Sequence, residues 1–310
     1  MKLLHGFDSS AGYGGGFLSI GNFDGVHRGH QQMFACLTRH ARERGVPAVV
    51  FTFDPHPIEL LRPEQAPPAL TSFDQKFELL EQAGIDFLIV YPTDLRLLNL
   101  SARDFFESVV LGEFDACGMV EGPNFYFGHN REGTVQSLEA FCRQTELELD
   151  IVPPVYVGTR MVSSSVVRQL LTDGQIEEAA SLLGRNYRVA GRVARGSERG
   201  RLIGFPTANL SHVVTLLPRD GVYAAIAHFS GGPRIAAVNL GPNPTFGEHR
   251  RKVEAHLLDF DGDLYGQPVE IEFVRRIRDT QSFSGAEELR RQLDQDIAAI
   301  RAVVRLAANR

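Results

Sequence analysis

The chain changes rhythm near Gly184, and no other feature restricts its fold as strongly. Before that point, strand-like runs alternate with helical patterns. Phe17–Ile20, Ala48–Phe53, Asp86–Tyr91 and Cys117–Val120 are short, apolar and rich in β-branched or aromatic residues, so they read as buried strands. Between and after them the spacing predicts helices over Gln31–Arg44, from Ser72 to Ala83, after Ser101, and from about Val135 to Gln144. Strands separated by helices imply crossover connections and a parallel sheet covered on both faces. From Tyr187 onward the runs Tyr187–Val193, Gly221–Phe229, Ile235–Asn239, Val253–Phe260 and Val269–Phe273 follow one another with turn residues and no helix between them. That pattern predicts an antiparallel barrel or sandwich. A last helix, about Ala286–Leu306, carries an apolar stripe of Leu289, Leu293, Ile297 and Ile300. The expected division is residues 1–185 and 186–310, each long enough for its own core.

Charge follows the same division. Residues 1–185 hold 14 Lys and Arg against 24 Asp and Glu, and residues 186–310 hold 18 against 14. Neither half has the strong basic face of a nucleic-acid binder. No apolar run reaches membrane-spanning length, so no membrane role is expected. Met1–Gly6 is followed by a polar, Gly-rich stretch rather than an apolar signal core, which points to a cytoplasmic location. Cys36, Cys117 and Cys142 are odd in number and lack paired spacing, which disfavours a disulfide framework or a zinc site.

The run from Phe17 to His30 carries the first chemical signal. A strand enters a tight turn containing Gly21, Asn22, Phe23, Asp24 and Gly25, then a helix start bearing His27 and His30. Backbone N–H groups at such a turn face the mouth of the sheet, where the positive end of the helix dipole favours an anion. Two imidazoles three residues apart share a helical face and can offset the charge growing on a phosphate under in-line attack. The plainer alternative is a helix start with two surface histidines; a zinc site lacks a third ligand at matching spacing.

Downstream, Asn124, Phe125 and Phe127 lie in a Gly/Pro loop, which is either a turn with a buried ring or a platform for a flat aromatic ligand. Ser163, Ser164 and Ser165 precede an apolar helical run, with Arg168 within it: a capped helix, or a clamp for an anion at the helix start. In the second half Gly196, Gly200 and Gly204 share a loop that leads into Pro206-Thr207-Ala208-Asn209. Glycines allow close approach to phosphate, and Thr207 and Asn209 alternate, so both oxygens can face one hard cation such as Mg²⁺. A solvated hairpin explains the same residues. Glu254 points opposite to Val253 and Ala255 in a strand and must face a cleft or water.

Gly21-Asn22-Phe23-Asp24-Gly25-Val26-His27-Arg28-Gly29-His30 resembles the His-x-Gly-His signature of nucleotidyltransferases, and in its full length that of the bacterial bifunctional riboflavin kinase/FMN adenylyltransferase family. Thr52–Pro57, Gly122–Gly128 and Val162–Arg168 are similar to further segments of that family, with Asp54 where Glu is usual and Tyr126 where Arg is frequent. Gly191–Leu210 resembles the flavokinase signature. Gly241–Gly247 is similar to a later loop with Asn243 at the usual Arg, and Val253–Phe260 matches the family's Glu-x-His-Leu-x-Asp-Phe strand.

The resemblance implies riboflavin and ATP giving FMN in a C-terminal barrel, then FMN and ATP giving FAD and pyrophosphate in an N-terminal Rossmann-like domain. It implies Glu254 as the base for riboflavin, and His27 and His30 as charge stabilisers in adenylyl transfer. Asn124, Phe125 and Phe127 would take the flavin, and Ser163, Ser164, Ser165 and Arg168 the ATP phosphates. Thr207 and Asn209 would hold Mg²⁺.

Overall fold

The computed structural model describes residues 1–196, 204–243 and 248–308. Two compact units divide the chain: Met1–Pro68 with Phe73–Val162, and Ala69–Ser72 with Ser163–Arg310.

In the first unit, strands β1 (Lys2–His5), β2 (Phe17–Ile20), β3 (Ala48–Asp54), β4 (Phe87–Pro92), β5 (Gly118–Glu121) and β6 (Glu148–Ile151) form one parallel sheet in the order β1-β4-β3-β2-β5-β6. The helices are α1 (Arg28–Arg44), α2 (Pro57–Leu61), α3 (Phe73–Gln82), α4 (Leu95–Leu98), α5 (Ala102–Phe105) and α6 (Val135–Thr145), with a π-helical stretch, Phe106–Glu113, continuing α5. Strand alternation divides the core in two. Leu18, Ile20, Val49, Phe51 and Ile89 pack with Phe105, Phe106 and Leu138. Phe17, Val50, Leu88 and Val90 pack with Phe34, Leu37 and Ala41 of α1 on the other face. Burial on both faces explains why these strands read as continuous apolar runs. A short hairpin, β7 (Tyr156–Val157) with β8 (Arg160–Met161), follows the sheet.

α1 begins at Arg28 rather than Gln31, because the side chain of His27 caps it. The sequence reading missed the edge strands β1 and β6; each is four residues long and half exposed, so neither shows the apolar run of a central strand.

The second unit holds α7 (Ser164–Thr172), α8 (Ile176–Leu183) and strands β9 (Tyr187–Ala194), β10 (Ala208–Ser211), β11 (Gly221–His228), β12 (Arg234–Asn243), β13 (Glu248–Leu257) and β14 (Pro268–Arg278). The strands close into an antiparallel barrel in the order β10-β13-β12-β11-β14-β9, so β10 and β11 are consecutive in sequence but separated by two strands, a Greek-key arrangement. Val189, Tyr223, Ala225, Val238, Val253, Ala255, Ile271 and Phe273 are buried. The final helix α9 (Ala286–Ala308) lays Ile300 and Val304 against Ala224, Ile226 and Ile235, which is why β11 is buried on both faces. Its Asp296, 3% exposed, takes a two-pronged ion pair from Arg278 at 2.8–3.1 Å.

Candidate active sites

β2 delivers the chain to the carboxyl end of the sheet, where Gly21 N–H bonds the Phe51 carbonyl at 3.0 Å. The loop then turns through positive φ at Phe23 (48°), Gly25 (81°) and Val26 (39°). Only glycine adopts such angles without strain, so Phe23 and Val26 hold a costly backbone that the buried packing of both side chains sustains. His27 Nδ1 accepts the His30 backbone N–H at 3.3 Å. That bond leaves Nε2 of a neutral His27 as its donor nitrogen. The two imidazoles stack at 3.6 Å between centroids, 16° from parallel. A Cβ on Gly29 would come within 3.1 Å of the His27 ring, so the glycine of His-x-Gly-His is what lets that ring lie over the helix start.

His30 is held well below the ordinary imidazole pKa by burial first, then by His27 and Lys76. Its Nδ1, together with Asn22 Oδ1, Ser19 Oγ and Thr52 Oγ1, is buried with no hydrogen-bond partner among the described residues. Orphaned buried polar atoms at a sheet mouth are the mark of a site built for a polar ligand.

Lys76 of α3 was not singled out from the sequence. Burial lowers its pKa while Asp24 and Asp54 oppose that shift, so it belongs to the same electrostatic cluster as His30. Its only sequence signal, a cation on a capped helix, is indistinguishable from a solvated surface lysine. Glu121 at the end of β5 was also missed. It is fully buried, accepts the Ile20 N–H at 2.7 Å, and is pushed well above the usual carboxylate range by burial.

In the loop after β5, Phe125 stacks on Phe127 at 5.3 Å and 17°. Phe127 is itself buried against Phe105 and belongs to the core, while Phe125 is half-buried and Asn124 exposed. Exposed Tyr126 carries the guanidinium of Arg131 4.4 Å above its ring.

Ser163, Ser164, Ser165 and Arg168 lie in the second compact unit. Ser163 caps α7, accepting the Val166 N–H at 3.3 Å, and Ser164 and Ser165 form the first turn. Arg168 is the fifth residue of the helix, more than one turn from its start.

The barrel assembles its candidate site by register. Asn209 of β10 and Asn239 of β12 both stand opposite Glu254 of β13. All three are half-buried and alternate with buried neighbours (Leu210, Val238, Leu240, Val253 and Ala255), which places them together on the outer face of the barrel wall. A Cβ on Gly196 would fall 2.3 Å from the Asn209 amide nitrogen, so this glycine leaves room for Asn209. Thr207 is exposed two residues before Asn209, and the preceding Pro206 carbonyl bonds His256 Nδ1 at 2.7 Å, tying the Pro-Thr-Ala-Asn entry to β13. Gly204 has φ +88° with open space around it, a conformation that favours glycine. Gly200, Thr245, Phe246 and Gly247 lie outside the described residues, as does the side chain of Asn243. The hydroxyl and amide oxygens of Thr207 and Asn209 are hard donors of the kind suited to Mg²⁺.

A family model described as FAD synthetase matches residues 12–166, and one described as riboflavin kinase matches residues 183–304. The chain is 35% identical over 299 residues to the bifunctional riboflavin kinase/FMN adenylyltransferase of Escherichia coli (strain K12), covering 96% of each. It is 34% identical over 293 residues to the protein of the same description from Pseudomonas fluorescens, covering 94% of each. A crystal structure from Streptococcus pneumoniae, described as a macrolide-efflux protein, superposes with a TM-score of 0.85 at 29% identity, covering 96% of this chain and 98% of that one. Among the described residues no helix is long and apolar enough to cross a membrane.

Proposed function

Since the chain belongs to the bifunctional riboflavin kinase/FMN adenylyltransferase family, and so forms FMN from riboflavin and FAD from FMN with ATP as co-substrate, we propose which of its residues carry each step. The functional boundary is placed at residues 185/186, with adenylyl transfer before it and phosphorylation after it.

In the kinase step Glu254 accepts the proton of the riboflavin 5′-hydroxyl. The freed oxygen attacks the γ-phosphorus of ATP, and the bond to the ADP oxygen breaks. Thr207 and Asn209 would hold Mg²⁺, which when bound neutralises polyphosphate charge. Gly196, Gly200 and Gly204 let the backbone approach the phosphates. The observation that carries this assignment is the side-by-side placement of Asn209, Glu254 and Asn239 on three adjacent strands outside an apolar barrel.

In the adenylyl step a phosphate oxygen of FMN attacks the α-phosphorus of ATP and pyrophosphate leaves. No protein nucleophile is required, so positioning and charge compensation do the catalysis. His27 and His30 stabilise the developing charge at the helix start, and Gly21, Asn22, Phe23, Asp24 and Gly25 line the nucleotide. Phe125 stacks on the isoalloxazine with Phe127 as its buried support, and Asn124 hydrogen-bonds the flavin. Ser163, Ser164, Ser165 and Arg168 bind ATP phosphate, whose charge Mg²⁺ would help neutralise when bound.

Chromatographic separation of riboflavin, FMN and FAD tests the assignment. Glu254→Ala should lower FMN formation by roughly 10²–10⁴-fold while FAD still forms from supplied FMN. Equal loss of both steps would contradict it.

A further inference from the structure

Cys36 and His40 lie one turn apart in α1, toward the opposite end of that helix from His27, and share a face. The edge strand β6 brings Asp150 to them. Cys36 Sγ and His40 Nε2 each lie 3.0 Å from Asp150 Oδ2, and one ligand atom from each of the three residues falls within 4.8 Å of the others.

We propose that Cys36, His40 and Asp150 form a site for a borderline-soft divalent transition metal, with zinc the best match to one sulfur, one nitrogen and one oxygen donor. Tetrahedral zinc at ordinary bond lengths separates such donors by roughly 3.3–3.6 Å, so the two contacts to Asp150 need to open by only about half an ångström.

The surroundings orient the ligands. His40 Nδ1 lies 3.3 Å from Glu148 Oε1, and Arg44 holds the other oxygen of Glu148. A carboxylate on the second ring nitrogen is the usual partner of a metal-bound histidine. The ring is also fixed by stacking on Phe17, 5.1 Å between centroids and 10° from parallel. If Nδ1–H of a neutral ring donates to Glu148, the Nε2 lone pair faces an oxygen of Asp150. Arg39 Nη2 already stands against all three donors, 3.4 Å from Sγ, 3.1 Å from Nε2 and 3.8 Å from Oδ2. The cluster therefore collects a cation even without a metal. Arg39 is half exposed and can swing out, and a metal ion in its place turns every facing lone pair into a bond.

Burial, then the hydrogen bond to Asp150, hold the Cys36 thiol up at about 11, so binding must expel the thiol proton to solvent as the metal–sulfur bond forms. The odd number and unpaired spacing of the cysteines disfavoured zinc in the sequence, and the third ligand lies 110 residues beyond His40.

Anaerobic titration of the chelator-stripped full chain with Co²⁺ tests the site. A saturable thiolate-to-cobalt charge-transfer band at one equivalent, bleached by one equivalent of Zn²⁺ and unaffected by Mg²⁺, is expected. Cys36→Ser should abolish the band, Glu148→Gln should weaken binding about tenfold, and Arg39→Ala should tighten it. In the unsubstituted chain Zn²⁺ should shield Cys36, but not Cys117, from alkylation, a readout that does not depend on any variant folding. A band that survives in Cys36→Ser, or no saturable band and no shielding, would overturn the proposal and leave an ion-pair network tying β6 to α1.

Discussion

On the proposed assignment, the sheet and the barrel meet the same demand, offsetting negative charge while a phosphorus–oxygen bond changes partner, by opposite means. In the sheet unit the key groups are contiguous: strand, turn and capped helix bring Asn22, His27 and His30 together within one short run of sequence. In the barrel Asn209, Asn239 and Glu254 come from three strands and meet only through register. A local site depends on backbone conformation, so its weak points are glycines and positive φ. A register site depends on the whole barrel closing correctly, so its weak points include residues far from the chemistry.

Four experiments sharpen or break that contrast, beginning with the Glu254→Ala separation of activities described above. Next in size, His27→Ala or His30→Ala should slow FAD formation from FMN by roughly 10²–10³-fold and leave riboflavin phosphorylation at the parental rate. A parental FAD rate would remove the imidazoles from the mechanism.

Third, Asp296→Ala strands Arg278 beneath α9 and should cost the barrel about 3 kcal/mol. Riboflavin phosphorylation should then be lost at a lower urea concentration than in the parent; an unchanged midpoint would refute a weak point far from the chemistry.

The smallest effect concerns Glu121. The folded chain keeps a proton that the unfolded chain releases above the ordinary value of 4.5. Stability attributable to this group therefore falls as pH rises from 4.5 toward its raised folded value. Glu121→Gln should melt higher than the parent at pH 8, with the difference closing toward pH 4. A pH-independent difference would contradict the buried neutral carboxyl.

The same contrast explains what the sequence made legible. Periodicity located the central strands, the barrel and α9, because each buries a regular face. It overlooked β1 and β6, whose four-residue, half-exposed edges carry little pattern. The contiguous His-x-Gly-His run was legible as strand, turn and helix start, whereas the need for Gly29 beside the His27 ring shows only in the structure. Glu254 could be read only as pointing away from the apolar layer; its neighbours Asn209 and Asn239 required the strand order. Lys76, Glu121 and the Cys36–His40–Asp150 cluster escaped notice because each depends on groups distant in sequence.

Mixing two defective chains tests the central claim most directly. Glu254→Ala retains the adenylyl site and His27→Ala retains the kinase site, so neither alone should convert riboflavin to FAD efficiently. Incubated together with riboflavin and ATP, they should restore FAD production through FMN released by one chain and taken up by the other. If the mixture makes no more FAD than the two chains do separately, although each retains its own half-reaction, the account of two self-sufficient sites is wrong.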